Sequence, residues 1–311
     1  MAFFRQFAGH RRRHVAEYLL LRGFAAAVNA LPYRVALGLA WLLAALAHYV
    51  GRFRVRSAHA RLREVFGARL SRRAVRRTAW LAWRNFVFSV VEMLRRGGMT
   101  LDWIRARAEC SAGDALVAAH ARDGRGGVLA TPHIGSWEMA GAFLQLAGLP
   151  LVQVAARQKN PLVNRFWHDL RGVAAPDITV QRGGATGMLR IVRHLQAGQF
   201  MAILPDVRVR EPGIVVPMLG RTANVGPGMA MLARLADVPI HPCICLRQGW
   251  TRHTFKTLPA IPPDPTLERH ADVERMTRLV LKIVEEAILA HPDQWFWFNK
   301  RWLLDPLEPR A

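Results

Sequence analysis

The stretch VLATPHIGSWEMAGAFLQ, residues 128–145, sets a histidine and a glutamate five positions apart, His133 and Glu138. A carboxylate on one imidazole nitrogen fixes the tautomer, stabilises the imidazolium and leaves the other nitrogen to take a proton. Such a dyad has no enzyme nucleophile, so its natural task is to deprotonate a substrate hydroxyl as it attacks an acyl group. The chain holds its own control: HARLRE puts His59 and Glu64 at the same spacing, and with 12 His and 22 acids in 311 residues about one such pair is expected by chance. Spacing alone therefore does not choose between the two.

The elements around each pair do. His59 and Glu64 fall in a continuous amphipathic helical pattern, where five residues turn through about 140° and point the two side chains apart. His133 follows a short apolar strand that Pro132 brings to an end. Ser136 is a good N-cap, so a helix begins there with Glu138 in its first turn. His133 thus lies on a strand-to-helix loop that can fold it back over Glu138, at the strand end where open α/β sheets place their sites. The plainer reading is a loop histidine beside a helix start, with Glu138 favourable to the helix dipole.

Stepping along the chain, residues 57–96 read as amphipathic helices, and RRGGMT then breaks the pattern. From residue 106 short apolar strands alternate with helices: strands over GRGGVLATPH, LPLVQVAAR, ITVQR, QFMAILPD and VPIHPCICLRQ, with helices over SWEMAGAFLQLAG, NPLVNRFWHDLRG, GMLRIVRHLQAG and GPGMAMLARLAD between them. GIVVPMLG reads as a further short strand or edge, TRHTF as a pairing strand, and residues 267–290 as a helix. The expected fold is α/β, a mixed, largely parallel central sheet flanked by helices, with an N-terminal helical membrane-associating region. The expected divisions are 1–56 for membrane-associating apolar and basic helices, 57–105 for amphipathic helices packing on the core, and 106–311 for a catalytic α/β domain.

Charge narrows the partners. The net charge is +22, and residues 1–107 carry 21 Arg, no Lys and 4 acids, so most of the excess lies in the first third. Basic residues interleaved with apolar ones fit an anionic lipid surface, and no nucleic-acid-binding signature accompanies them. Two apolar segments, residues 18–33 and 35–51, lie among arginines on both sides. Arginine on both flanks conflicts with a single crossing and favours a hairpin or an in-plane helix pair, with a buried core helix as the alternative. Three cysteines, Cys110, Cys243 and Cys245, give no disulfide framework, and the pair Cys243 and Cys245, inside an apolar run, reads as small hydrophobes in a strand.

Several blocks, in order, carry a resemblance: VLATPHIGSWEMAG; NPLVNRFWHDLRG with Asn160 and Arg171; MAILPDVRVREPGIVVPMLGR with Asp206; GPGMAMLARLADVPIHPCICLR; and HPDQWFWFNKRW. Together they resemble the bacterial lipid A late acyltransferases, within the wider glycerolipid acyltransferase superfamily with its His-x4-acid motif, over residues 52–304. The chain departs from the pattern at Val207, where the family usually has Gln, and at Asn299, where it often has His. An E-G-T-R-S-like block of the glycerol-phosphate branch is replaced by PDVRVREPG.

The resemblance implies transfer of an acyl chain from acyl carrier protein to a hydroxyl of a lipid A precursor, at the cytoplasmic face of the bacterial inner membrane, with no metal or organic cofactor. It implies His133 as general base, Glu138 as its orienter, and Arg171, Asp206 and Asn160 in support. Arg157 and Arg182, each after a strand, are candidates for substrate phosphates. Transfer to another glycolipid or phospholipid acceptor, and a non-catalytic membrane-surface role for the basic first third, are the rival expectations. The aromatic run Trp295 to Phe298 reads as a packed segment or an interfacial anchor.

Overall fold

The computed structural model describes residues 10–153, 158–170, 185–209, 212–300 and 302–305. Helices α1 (Arg12–Ala30), α2 (Tyr33–Ala45, prolonged by a π-helical turn Leu46–Val50), α3 (Val55–Phe66) and α4 (Arg72–Arg95) come first. A short α5 (Leu101–Arg105), β1 (Ala108–Glu109), α6 (Ser111–Asp123), β2 (Gly127–Ala130), α7 (Trp137–Leu146) and β3 (Leu151–Gln153) follow. Next are α8 (Pro161–Leu170), α9 (Ala185–Gln196), β4 (Phe200–Ile203), β5 (Ile214–Met218), β6 (Arg221–Val225) and α10 (Gly228–Ala236). The chain closes with β7 (Ile240–Gln248), β8 (Arg252–Thr257) and α11 (Arg269–Ala290).

Among the described residues, six strands form one sheet in the order β1-β8-β7-β2-β4-β3. β3, β4, β2 and β7 run parallel, β8 is antiparallel to β7, and β1 is parallel to β8. This is the mixed, largely parallel sheet that the alternation of elements predicts. β2 is buried along its whole length because helices cover both faces, which is why it reads as an unbroken apolar run. GIVVPMLG forms β5, which pairs with β6 in a separate antiparallel hairpin. The sequence reading misses α6, whose buried residues, Gly113 and Leu116, are too few to mark a stripe. The strand expected over ITVQR lies outside the described residues.

The order of strands creates the site. From β2 the chain passes through α7 to the edge strand β3, returns to β4 between them, and later crosses to β7 on the other side of β2. β2 and β4 are therefore adjacent and parallel, with Ala130 opposite Ile203. Thr131 extends the ladder by donating its N–H to the Ile203 carbonyl at 3.1 Å. Whatever follows each strand by three residues stands level: His133 after β2, Asp206 after β4.

The amphipathic helices of the first third share this core. Leu62, Val65 and Phe66 of α3 and Val75, Ala79 and Trp83 of α4 are buried in one cluster with Val128, Ile240, Trp295 and Trp297. Among the described residues one helical stretch, Tyr33–Val50, is long and apolar enough to cross a membrane, and about a third of it is buried. Its small-residue face, Ala36, Ala40 and Ala44, is covered, while Val35, Leu39, Leu42, Leu46 and Val50 face outward.

Candidate active site

Pro132 ends β2, and the next four residues make the loop that carries His133. Ile134 donates its N–H to the Pro132 carbonyl, Gly135 to Gln294 and Ser136 to Cys245. Gly135 has φ +61°, and a Cβ there would lie 2.0 Å from the Cys245 carbonyl oxygen. Glycine is required here twice, for conformation and for contact. Gly135→Ala is expected to lower stability by about 1–3 kcal/mol or more and to lower activity with it, read by thermal melting and turnover of the same preparation. Wild-type values for both would show that the loop is not held as described.

Asp206 holds His133 at two points. Its Oδ2 accepts the His133 backbone N–H at 2.8 Å, and its Oδ1 lies 2.8 Å from Nδ1 of the ring. Trp295 donates its indole N–H to the same Oδ2 at 2.8 Å. Burial pushes the Asp206 carboxyl up, but the His133 charge and the hydrogen bonds from His133 and Trp295 outweigh it and hold the group below the ordinary carboxylate range. An ionised Asp206 makes Nδ1 the protonated nitrogen, so Nε2 carries the lone pair. Nε2 has no protein hydrogen-bond partner among the described residues, and the ring is 20% exposed while Asp206 is fully covered. Phe296 and Trp137 flank the imidazole, with ring centroids 4.5 and 5.1 Å away. A general base needs these three things: one nitrogen fixed, the other free, and an apolar wall that excludes water.

This arrangement corrects the expected pairing. The carboxylate on the His133 ring is Asp206, and Glu138 turns away. Glu138 sits in the first turn of α7, buried, with Oε2 3.4 Å from the Arg96 guanidinium, which also donates to Gln145 at 2.6 Å. The helix directs Glu138 toward the turn after α4, whereas the parallel register of β2 and β4 brings Asp206 level with the histidine. The control pair is separated too: Glu64 is paired with Arg221, and Nε2 of His59 is buried without a partner.

Ser136 differs from expectation as well. It precedes α7, but its hydroxyl makes no cap and donates instead to Glu92 of α4 at 2.5 Å. Glu92 is fully buried and collects donors: both Arg247 amino groups at 2.7 and 2.6 Å and the Tyr33 hydroxyl at 2.5 Å, with Nε2 of His253 lying 3.2 Å away. A buried carboxylate binds a hydroxyl more strongly than a helix N–H does, so the cap is forgone. Burial would raise the Glu92 carboxyl, yet Arg247 and then His253 hold it well below its ordinary value. Ser89, one turn earlier on α4, donates to the Gly135 carbonyl at 2.8 Å and accepts from Arg247 at 3.3 Å. One buried ion pair thus fastens α4, β7 and the His133 loop together.

The remaining candidates divide. Asn160 is buried and accepts from the backbone N–H groups of Leu162 and Val163, capping α8. Its amide donates to the His14 carbonyl and to Glu17, so it ties α8 to α1. Arg157, Arg171 and Arg182 lie outside the described residues. Trp295, Trp297 and Phe298 are buried, so the terminal aromatic run is packed, with Trp295 serving Asp206 as well. Cys243 is buried in β7 and burial pushes its thiol up to about 12, which rules out a thiolate nucleophile there at neutral pH. Trp295, Glu92, Ser89 and Arg247 were missed by sequence reasoning. The available signal was a lone acid on the apolar face of α4 and a lone arginine in an apolar strand, since a buried charge needs a partner.

The sequence profile of bacterial lipid A biosynthesis acyltransferases matches residues 6–304. The chain belongs to that family. Similar to this family member are a phosphatidylinositol mannoside acyltransferase of Mycobacterium tuberculosis, 28% identical over 200 residues, 63% of this chain and 60% of that one. A lipid A biosynthesis acyltransferase of Haemophilus influenzae is 24% identical over 182 residues, 56% of this chain and 53% of that one. Lipid A biosynthesis acyltransferase 2 of Shigella flexneri is 22% identical over 187 residues, 56% of this chain and 54% of that one. The chain spans a little over half the length of the curated relatives it matches.

Proposed function

We propose that this family member transfers a fatty acyl chain from acyl carrier protein to a hydroxyl of a lipid A precursor or a related glycolipid. The observation that carries the reading is the His133–Asp206 pair with its unpartnered Nε2. His133 Nε2 takes the proton of the acceptor hydroxyl as the oxygen attacks the thioester carbonyl. The tetrahedral adduct collapses with cleavage of the C–S bond, and the imidazolium returns the proton to the departing thiolate. Ester and free thiol result, His133 is regenerated, and the reaction as proposed uses no metal or organic cofactor. Asp206 keeps the ring oriented and stabilises the imidazolium between the two transfers. Arg171, Arg157 and Arg182 are proposed to bind phosphate or developing negative charge.

The proposed location is the cytoplasmic face of a bacterial inner membrane, with residues 1–56 as the membrane-associating part and 106–311 as the catalytic part. Support comes from the outward apolar face of Tyr33–Val50 and the arginines around it, which suit a helix lying in the interface and anionic lipid headgroups. The acceptor has two supported chemistries, because the relatives' names include both lipid A and phosphatidylinositol mannoside. Purified protein incubated with acyl carrier protein thioesters of several chain lengths and each acceptor class should yield one acylated product by mass. Product from acyl coenzyme A but from no carrier-protein thioester would overturn the donor, and product on neither acceptor would overturn the reading.

A further inference from the structure

We propose that a cavity between the start of α1 and residues 158–163 binds the phosphate group of an anionic membrane lipid. The cavity has a volume of about 960 Å³, and its walls include Arg11, Arg13, His14, Glu17, Lys159 and Asn160. Among the described lining residues, three permanent cations face a single carboxylate. Glu17 is already engaged by Arg13 at 2.7 Å and by Asn160 at 3.0 Å, while Arg11 and Lys159 have no anionic partner among the described residues. The walls are braced, because the buried Asn160 bonds to both α1 and the start of α8. α1 also opens without an acidic residue in its first turn, where the helix dipole favours negative charge, and carries arginine there instead. A bound anion resolves both imbalances.

A lipid is the source that fits. Arg13, Glu17, Leu20 and Phe24 follow one another at the helical spacing that keeps residues on one face. The stripe runs from the cavity to Leu20 and Phe24, which are exposed. A phosphate in the cavity therefore places the acyl tails along an apolar face of the same helix. This inference rests on the proposed membrane association and adds to it a defined headgroup contact.

The test is co-sedimentation of the full chain with phosphatidylcholine vesicles containing phosphatidic acid. The double variant Arg11→Gln with Lys159→Gln is compared with a charge-matched control, Arg12→Gln with Arg34→Gln, whose residues are exposed and do not line the cavity. The cavity variant is expected to bind at least tenfold more weakly than the control. On vesicles carrying oleate in place of phosphatidic acid, an anion without the extra phosphate, the two variants should differ by less than about twofold. Equal loss in both variants on phosphatidic acid means diffuse attraction and overturns the site while leaving membrane association intact. A wild-type chain that binds neither vesicle overturns both.

Discussion

His133→Ala folds as the wild type does and loses nearly all transfer, by about 10²–10⁴-fold, the usual worth of a positioned general base. His59→Ala, which removes the histidine of the control pair, keeps activity. Asp206→Asn is expected to fall close to the His133 variant, because an amide cannot hold the ring in the tautomer that an ionised carboxylate imposes, although Trp295 and the His133 N–H still find an oxygen there. Glu138→Gln alters the contact with Arg96 and leaves the basic group of the pH–rate profile unmoved, since its carboxylate does not touch the ring. Initial rates across pH for the four variants separate these assignments. Equal activity of the His133 and His59 variants would sink the catalytic reading. A Glu138→Gln profile shifted as far as that of Asp206→Asn would return the role of orienter to Glu138.

Glu92→Ala carries the largest expected effect on stability, about 3–5 kcal/mol, because it leaves Arg247 charged, buried and uncompensated. The Tyr33 and Ser136 hydroxyls lose their acceptor in the same step. Removing Arg247 as well should cost less than the two single changes added together, since each single change strands the other partner. Denaturant unfolding of the two single variants and the double variant measures this, and simple additivity would refute the buried pair as a unit. The pH dependence has a definite sign. A carboxyl held below its ordinary 4.5 in the folded state contributes its full stability above that value, and the contribution drains as pH falls toward the folded value. Wild type should therefore lose stability in acid more steeply than Glu92→Ala.

Much of this protein was legible in one dimension. The glycine turns, the apolar strands and the 3.6-residue stripes marked β2, α7, β4, α10, β7, β8 and the long α11, because local periodicity reports which face is buried. Pro132 marked the end of β2, and with it the loop on which His133 sits. What failed was partner choice. Ser136 has the residue type of a cap and Glu138 the spacing of an orienter, and both were claimed by groups far away in sequence, Glu92 and Arg96.

The sequence by itself determined the alternating α/β plan, the family, and His133 as the base to consider, since these rest on local pattern and residue order. Only the tertiary structure decided which acid holds that histidine. Asp206 lies 73 residues from His133, the same offset that pairs Ala130 with Ile203 in adjacent parallel strands. A register between two strands is set by how the sheet packs, and no spacing within either segment records it.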